Sequence, residues 1–175
     1  MAVLTKNVFL IGFMGVGKTT VARRLARDMG VASIDVDAYM HRKHGKDANQ
    51  LFKQRGEKGL RRAEAQALAE CASMGPAVIS CGEGIVALAR NRELIERTGF
   101  AVLLESSAAS SLARVKSLRT RPLLAHGCDT DLLWDQRKPL YDAVACVTVD
   151  VRDKGTAAVA CEIASLLQKR GIYRP

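Results

Sequence analysis

The sequence predicts an α/β fold: three layers, αβα, with helices on both faces of a parallel sheet. Three observations predict it. Short apolar runs rich in strand formers alternate along the chain with stretches of helical spacing, and that alternation packs as a parallel sheet between helices. The segment Gly12-Phe13-Met14-Gly15-Val16-Gly17-Lys18-Thr19 fits G-x-x-x-x-G-K-[ST], a phosphate-binding loop that joins a strand to a helix. Polar clusters follow the predicted strand ends at Asp35-Val36-Asp37, Gly82-Glu83-Gly84 and Ser106, where open α/β sheets bind ligands.

The elements follow in order. Val8-Phe9-Leu10-Ile11 is the first strand, and a helix over 19–29 carries Val21, Leu25 and Met29 at helical spacing among Arg23, Arg24 and Arg27. A short second strand is predicted over 32–36. Short helices over 38–44 and 49–54 flank the turn Gly45-Lys46-Asp47, and a longer helix over 58–73 ends at Gly75-Pro76. A third strand over 77–81 precedes Gly82-Glu83-Gly84; a helix over 87–97 is stopped by Gly99; a fourth strand covers 101–105. A helix over 108–118, a loop over 120–131, a helix over 132–143 and a fifth strand over 145–149 come next. An amphipathic helix over 156–169 closes the chain, with Val159, Ile163, Leu166 and Leu167 on one side.

The length, 175 residues, predicts one domain. Hydrophobic residues at 48% and charged residues at 26% are ordinary for a globular protein. No run approaches eighteen apolar residues, so no membrane span is expected, and the stretch before the first strand is too short for a signal peptide. Cys71, Cys81, Cys128, Cys146 and Cys161 show no C-x-x-C spacing, and His41, His44 and His126 complete no zinc pattern. An odd, scattered set predicts reduced thiols in a cytoplasm, several of them acting as small core residues. The net charge of +9 admits nucleic-acid binding, but aromatics are only 5% and no nucleic-acid motif is present. A basic cleft that attracts anionic small molecules accounts for part of that charge.

The glycines of the first motif let the backbone curl around phosphate oxygens at a helix N-terminus, where free N–H groups and the macrodipole favour an anion. Lys18 reaches β- and γ-phosphates, and the Thr19 hydroxyl can ligate magnesium. Asp35 and Asp37, two apart, share a face if that segment is extended. One could then hold magnesium waters and the other accept a proton from a substrate hydroxyl. The alternative is that Asp37 only caps the following helix. Arg61 and Glu64 share a helix face. They are either an arginine aligned to grip a carboxylate or an ordinary surface pair. Gly82-Glu83-Gly84 brings backbone close to a ligand or simply turns. Arg119, Arg121 and Pro122 open either a lid that closes over a phosphoryl group or a basic surface loop. Arg137, taken alone, reads as a solvated helix residue, and Pro139-Leu140-Tyr141 after it sets its register.

Together, over nearly the whole chain, these motifs resemble the shikimate kinases, small P-loop kinases of aromatic amino acid biosynthesis similar to nucleoside monophosphate kinases. The resemblance rests on the P-loop, the Asp-x-Asp, the run Gly56-Glu57-x-x-Leu60-Arg61-x-x-Glu64, the Gly82-x-Gly84 turn, Arg121-Pro122-Leu123-Leu124 and Arg137-x-Pro139-Leu140-Tyr141. It implies a single kinase domain over 1–175, a sheet in the order 2-3-1-4-5, a shikimate-binding helical region near 37–64 and a lid near 116–131. It implies phosphorylation of the shikimate 3-hydroxyl by ATP with magnesium, in the cytoplasm, by a monomer without nucleic-acid or membrane partners. By the match, Asp37 would be the base, and Lys18 and Arg121 would stabilise the transferring group. Thr19 and Asp35 would hold magnesium. Gly12, Met14, Gly15, Val16, Gly17 and Thr20 would surround the ATP phosphates, with Arg114 and Arg152 at the adenine. Arg61 and Arg137 would clamp the shikimate carboxylate, with Glu64 supporting Arg61. Gly82, Glu83 and Gly84 would line that pocket, with Phe52 and Leu60 on its apolar wall.

Two positions depart from the family pattern. Glu83 stands where the turn usually has its middle glycine, and Leu60 where a Phe is usual. An inward Glu83 would repel an anionic substrate and compete for magnesium; an outward one would leave only its backbone in the site. Competing readings are a kinase for another hydroxylated metabolite such as gluconate, a nucleotide-binding regulator that has lost catalysis, and a basic nucleic-acid binder.

Overall fold

The computed structural model describes residues 3–107, 127 and 129–175. Its elements in chain order are β1 (Val3–Leu4), β2 (Asn7–Ile11), α1 (Lys18–Met29), β3 (Ser33–Asp35), α2 (Val36–His44), α3 (Ala48–Ala72), β4 (Val78–Ser80), a 3₁₀ turn (Glu83–Ala87), α4 (Ala89–Thr98), β5 (Gly99–Glu105), α5 (Thr130–Val144), β6 (Val147–Asp150), α6 (Thr156–Lys169) and β7 (Tyr173–Arg174). Five strands form one sheet in the order β3-β4-β2-β5-β6, each neighbouring pair parallel. Counted along those five strands this is 2-3-1-4-5, as the resemblance implied.

Central strand β2 is buried along its whole length, which is why it reads as an unbroken apolar run rather than an alternating one. The pleat sends its side chains to opposite faces. Phe9 and Ile11 enter the core beneath α2–α5, with Met40, Leu68, Ile85 and Tyr141. Val8 and Leu10 enter the core on the other face, where Leu25 and Met29 of α1 meet Val159, Ile163 and Leu167 of α6. Asn7 is buried and stitches the two sides: its amide donates to the Ala72 carbonyl at 2.9 Å and its oxygen accepts from the Ala77 N–H at 3.2 Å. α2 is tied to α3 through Glu70, which accepts from the Tyr39 hydroxyl at 2.7 Å and pairs with Lys43.

Several predicted boundaries shift. The two helices expected over 49–54 and 58–73 are the two halves of α3, separated at Gly56, whose non-helical φ of 67° no other residue type adopts readily. The start of α3 carries a reciprocal cap between Asp47 and Gln50. The helix expected over 87–97 begins as the 3₁₀ turn, and its α-helical part covers Ala89–Thr98. The fifth parallel strand lies at Val147–Asp150, two residues late, and the helix before it begins at Thr130, capped by Asp129. Pro139 sits inside that helix. β1 and β7 pair antiparallel as a second, two-stranded sheet that the sequence reading did not anticipate. Cys71 and Cys81 are both buried in the core, and burial pushes the Cys71 thiol up to about 11. The predicted helix over 108–118 and nearly all of the expected lid lie outside the described residues.

Candidate active site

The P-loop follows β2 directly. Gly17, with φ of 101°, is the N-cap of α1, and no side chain caps it; such a first turn presents N–H groups to an anion. Lys18 is buried, and its ammonium donates to the Gly12 carbonyl at 2.7 Å and the Phe13 carbonyl at 2.8 Å. A cleft of about 600 Å³ opens over this turn. It is lined by Gly15, Val16, Gly17, Lys18, Thr19 and Thr20, by Asp37 and Gly82, and by Val151, Lys154, Gly155 and Thr156 from the turn into α6.

At Thr19, which lines both this cleft and a neighbouring pocket that Asp35 and Ser80 line, three oxygen-bearing side chains meet. The Thr19 hydroxyl donates to Asp35 Oδ2 at 2.7 Å and lies 3.3 Å from the Ser80 hydroxyl. Hard divalent cations take oxygen ligands and magnesium keeps several waters, so this donor set suits magnesium. Ser80, buried at the end of β4, was not singled out from sequence; its place just before Cys81-Gly82 at a strand end was the available signal.

The expectation that Asp35 and Asp37 share a strand face is overturned. β3 ends at Asp35, and Asp37 lies in the first turn of α2. The capping role falls to Asp35, whose Oδ1 accepts from the Ala38 N–H at 2.9 Å. Asp37 is thereby turned toward the turn after β4: a Cβ on Gly82 would stand 2.7 Å from Asp37 Oδ1. Gly82 has φ of −64°, so it is the space, not the backbone conformation, that excludes a side chain there.

A charge cluster lies behind that turn. Arg61, Glu64, Glu83 and Arg137 are 6%, 6%, 9% and 9% exposed, which rules out both the surface-pair reading of Arg61–Glu64 and the solvated reading of Arg137. Arg61 Nη1 donates to both Glu64 oxygens, at 3.0 and 2.8 Å, and Arg61 Nε lies 3.7 Å from Glu57. Glu83 points inward. Its Oε1 lies 3.6 Å from Arg61 Nη2, and its Oε2 lies 3.5 Å from Arg137 Nε. Its carboxylate thus bridges the two arginines rather than reaching toward Thr19 and Asp35, contrary to the expected competition for magnesium. Arg61 Nε, Arg137 Nε and Glu83 Oε2 are buried with no hydrogen-bond partner among the described residues. The Tyr141 hydroxyl fixes the turn by donating to the Glu83 carbonyl at 2.7 Å, a role the sequence reading did not assign. Burial outweighs the attraction of Arg61 and pushes the Glu64 carboxyl up to about 7. For Arg61, burial works against the charge, but Glu64 and Glu83 more than offset it and its pKa is raised.

The remaining predicted residues divide. Gly12 and Met14 lie at the base of the P-loop, Gly12 through its carbonyl on Lys18 and Met14 through a side chain sunk in the core. Leu60 is buried in the core, and Phe52 packs half-buried against that core. Arg152 is exposed and bound to Asp150 through a 2.6 Å contact, so Lys154, Gly155 and Thr156, not Arg152, line this part of the cleft. Arg114 and Arg121 lie outside the described residues.

Comparison with known proteins agrees with this architecture. The family profile for shikimate kinase matches residues 14–168. A shikimate kinase of Vibrio cholerae is 32% identical over 167 residues, covering 94% of this chain and 96% of its own. One from Bordetella pertussis is 36% identical over 169 residues, covering 95% of this chain and 79% of its own. The solved shikimate kinase of Acinetobacter baumannii in complex with shikimate superposes with a TM-score of 0.89 at 32% identity, covering 94% of each chain. A gluconokinase from Sinorhizobium meliloti, at 19% identity and a TM-score of 0.57, shares the fold alone. With that coverage and identity, the chain belongs to the shikimate kinase family.

Proposed function

We propose that this chain transfers the γ-phosphoryl group of ATP to the 3-hydroxyl of shikimate, as a single catalytic domain acting as a monomer in the cytoplasm. One observation carries the reading: Gly82-Glu83-Gly84 joins the phosphate-binding cleft, where Asp37 stands, to the buried Arg61–Arg137 pair. A compact substrate with a carboxylate at one end and a hydroxyl at the other would span that distance.

The roles follow from the chemistry. The P-loop N–H groups and Lys18 hold the ATP phosphates. Asp37, at the cleft wall, accepts the proton of the attacking hydroxyl. Arg61 and Arg137 orient the acceptor through its carboxylate, with Glu64 locking the Arg61 fork. Thr19 and Asp35 would hold magnesium, with Ser80 beside them; the ion, when bound, neutralises phosphate charge. No described helix is long and apolar enough to cross a membrane, and the unpaired cysteines Cys71, Cys81, Cys146 and Cys161 suit a reducing compartment.

ADP release coupled to an optical readout, with ATP and magnesium and with or without shikimate, tests the reading. A shikimate-dependent rate on the order of 1–100 per second, typical of kinases, is expected. ADP release indifferent to shikimate, or driven equally by gluconate, would reject it.

A further inference from the structure

Glu83 sets a carboxylate of the protein's own between Arg61 and Arg137: its Oε1 lies 3.6 Å from Arg61 Nη2 and its Oε2 lies 3.5 Å from Arg137 Nε. Neither contact closes into a hydrogen bond. Arg61, Glu83 and Arg137 are all buried. Arg61 Nε and Arg137 Nε are buried N–H donors with no hydrogen-bond partner among the described residues, and Glu83 Oε2 is a buried acceptor in the same state. Two unused donors on two cations are what the carboxylate of an acceptor would take up.

The charge on those cations is already met. Glu64 holds Arg61 at 2.8 Å, Glu57 lies 3.7 Å from Arg61, and Glu83 reaches both arginines. A carboxylate that enters here is therefore an added anion on a balanced cluster, whereas on two unmatched buried cations it would complete a pair. The backbone cannot carry Glu83 away. The Tyr141 hydroxyl donates to its carbonyl at 2.7 Å, and the next residue, Gly84, sits so close to the Arg61 guanidinium that a Cβ there would collide with it. The Glu83 carboxylate is thus a built part of the acceptor end of the site.

We propose that Glu83 is a specificity-determining residue of the acceptor subsite: its carboxylate offsets the charge of the Arg61–Arg137 pair, so that this chain discriminates far less between a charged carboxylate and a neutral group on the acceptor than the two arginines alone would. The donors at Arg61 Nε and Arg137 Nε still orient an oxygen-bearing group by hydrogen bonding, and a neutral carbonyl serves there as an acceptor. What Glu83 removes is the added attraction of a full negative charge. This inference rests on the shikimate kinase reading and specifies how its acceptor subsite selects.

Calorimetric titration of the full chain with shikimate and with its methyl ester, which keeps the ring and hydroxyls but carries no charge, tests this in wild type, Glu83→Gln and Glu83→Gly. Truncating one partner of a buried, hydrogen-bonded charge pair costs roughly thirtyfold or more in binding. Wild type should therefore prefer shikimate to the ester by less than about thirtyfold, and in both variants that preference should widen on the order of tenfold. Glu83→Gln keeps the volume of the side chain and removes only its charge, so a merely structural role would move both ligands together and leave their ratio in place. A wild-type preference of roughly thirtyfold or more, or variants that keep the wild-type ratio, overturns the inference while leaving the kinase reading intact. Binding of neither ligand to any of the three proteins overturns the inference and the kinase reading together.

Discussion

Gly84 and Arg61 are in such close approach that any side chain at residue 84 would displace the guanidinium. Arg61 is buried and held by Glu64, Glu57 and Glu83 at the same time, so it cannot yield without breaking charge contacts. Gly84→Ala is therefore expected to raise the KM for shikimate on the order of tenfold, about 1.4 kcal/mol, and to leave the KM for ATP within about twofold. Steady-state kinetics with each substrate varied checks this. An equal rise in both constants would mean that the Gly84–Arg61 contact supports the fold rather than the acceptor subsite.

Asp37 stands at the cleft wall, against Gly82. As the base, its conversion to Asn should lower kcat by roughly 10²- to 10⁴-fold, with nucleotide affinity by fluorescence titration unchanged. Retained turnover would remove Asp37 from that role.

Asp35 serves two partners, the Thr19 hydroxyl and the Ala38 N–H. Asp35→Ala should cost about 1 kcal/mol through the lost helix cap, a fall in Tm of about 2–4 °C for a domain of this size. It should also raise the magnesium concentration needed for half-maximal rate. A lower Tm with an unchanged magnesium requirement would confine Asp35 to capping.

Glu64 carries a pH prediction for stability. Burial raises its carboxyl from 4.5 to about 7, so the folded state holds that proton more tightly than the unfolded chain. Its contribution is greatest below the unfolded value and is lost as pH rises through the folded one. Wild type should therefore lose more Tm between pH 5 and pH 8 than Glu64→Gln does. Parallel losses by calorimetry would contradict this.

Legibility in the sequence followed the range of the forces involved. The helix over 156–169 was readable to the residue, because Val159, Ile163 and Leu167 carry its packing at local spacing. The P-loop was readable because strand, glycines and helix are contiguous. β1 and β7 were not, since each has two residues and they join opposite ends of the chain, with Thr5 bonded to Ile172. The break at 54–58 was visible, because Gly56, where the helical backbone is interrupted, marks it locally. Asp35 and Asp37 were read as an extended pair because the strand's end between them leaves no mark in composition. The burial of Arg61 and Arg137, and the inward turn of Glu83, depend on how the 3₁₀ turn meets α3 and α5, which no local pattern records. The resemblance supplied the arginine pair, and only the packing showed a third charged side chain between them.

Transfer of a phosphoryl group onto the shikimate 3-hydroxyl can be followed by phosphorus NMR of a reaction run to completion with shikimate, ATP and magnesium. One new phosphomonoester signal is expected, coupled to the ring proton at carbon 3 and equal in amount to the ADP formed. ADP without a phosphomonoester, or a phosphate on another hydroxyl, would contradict it.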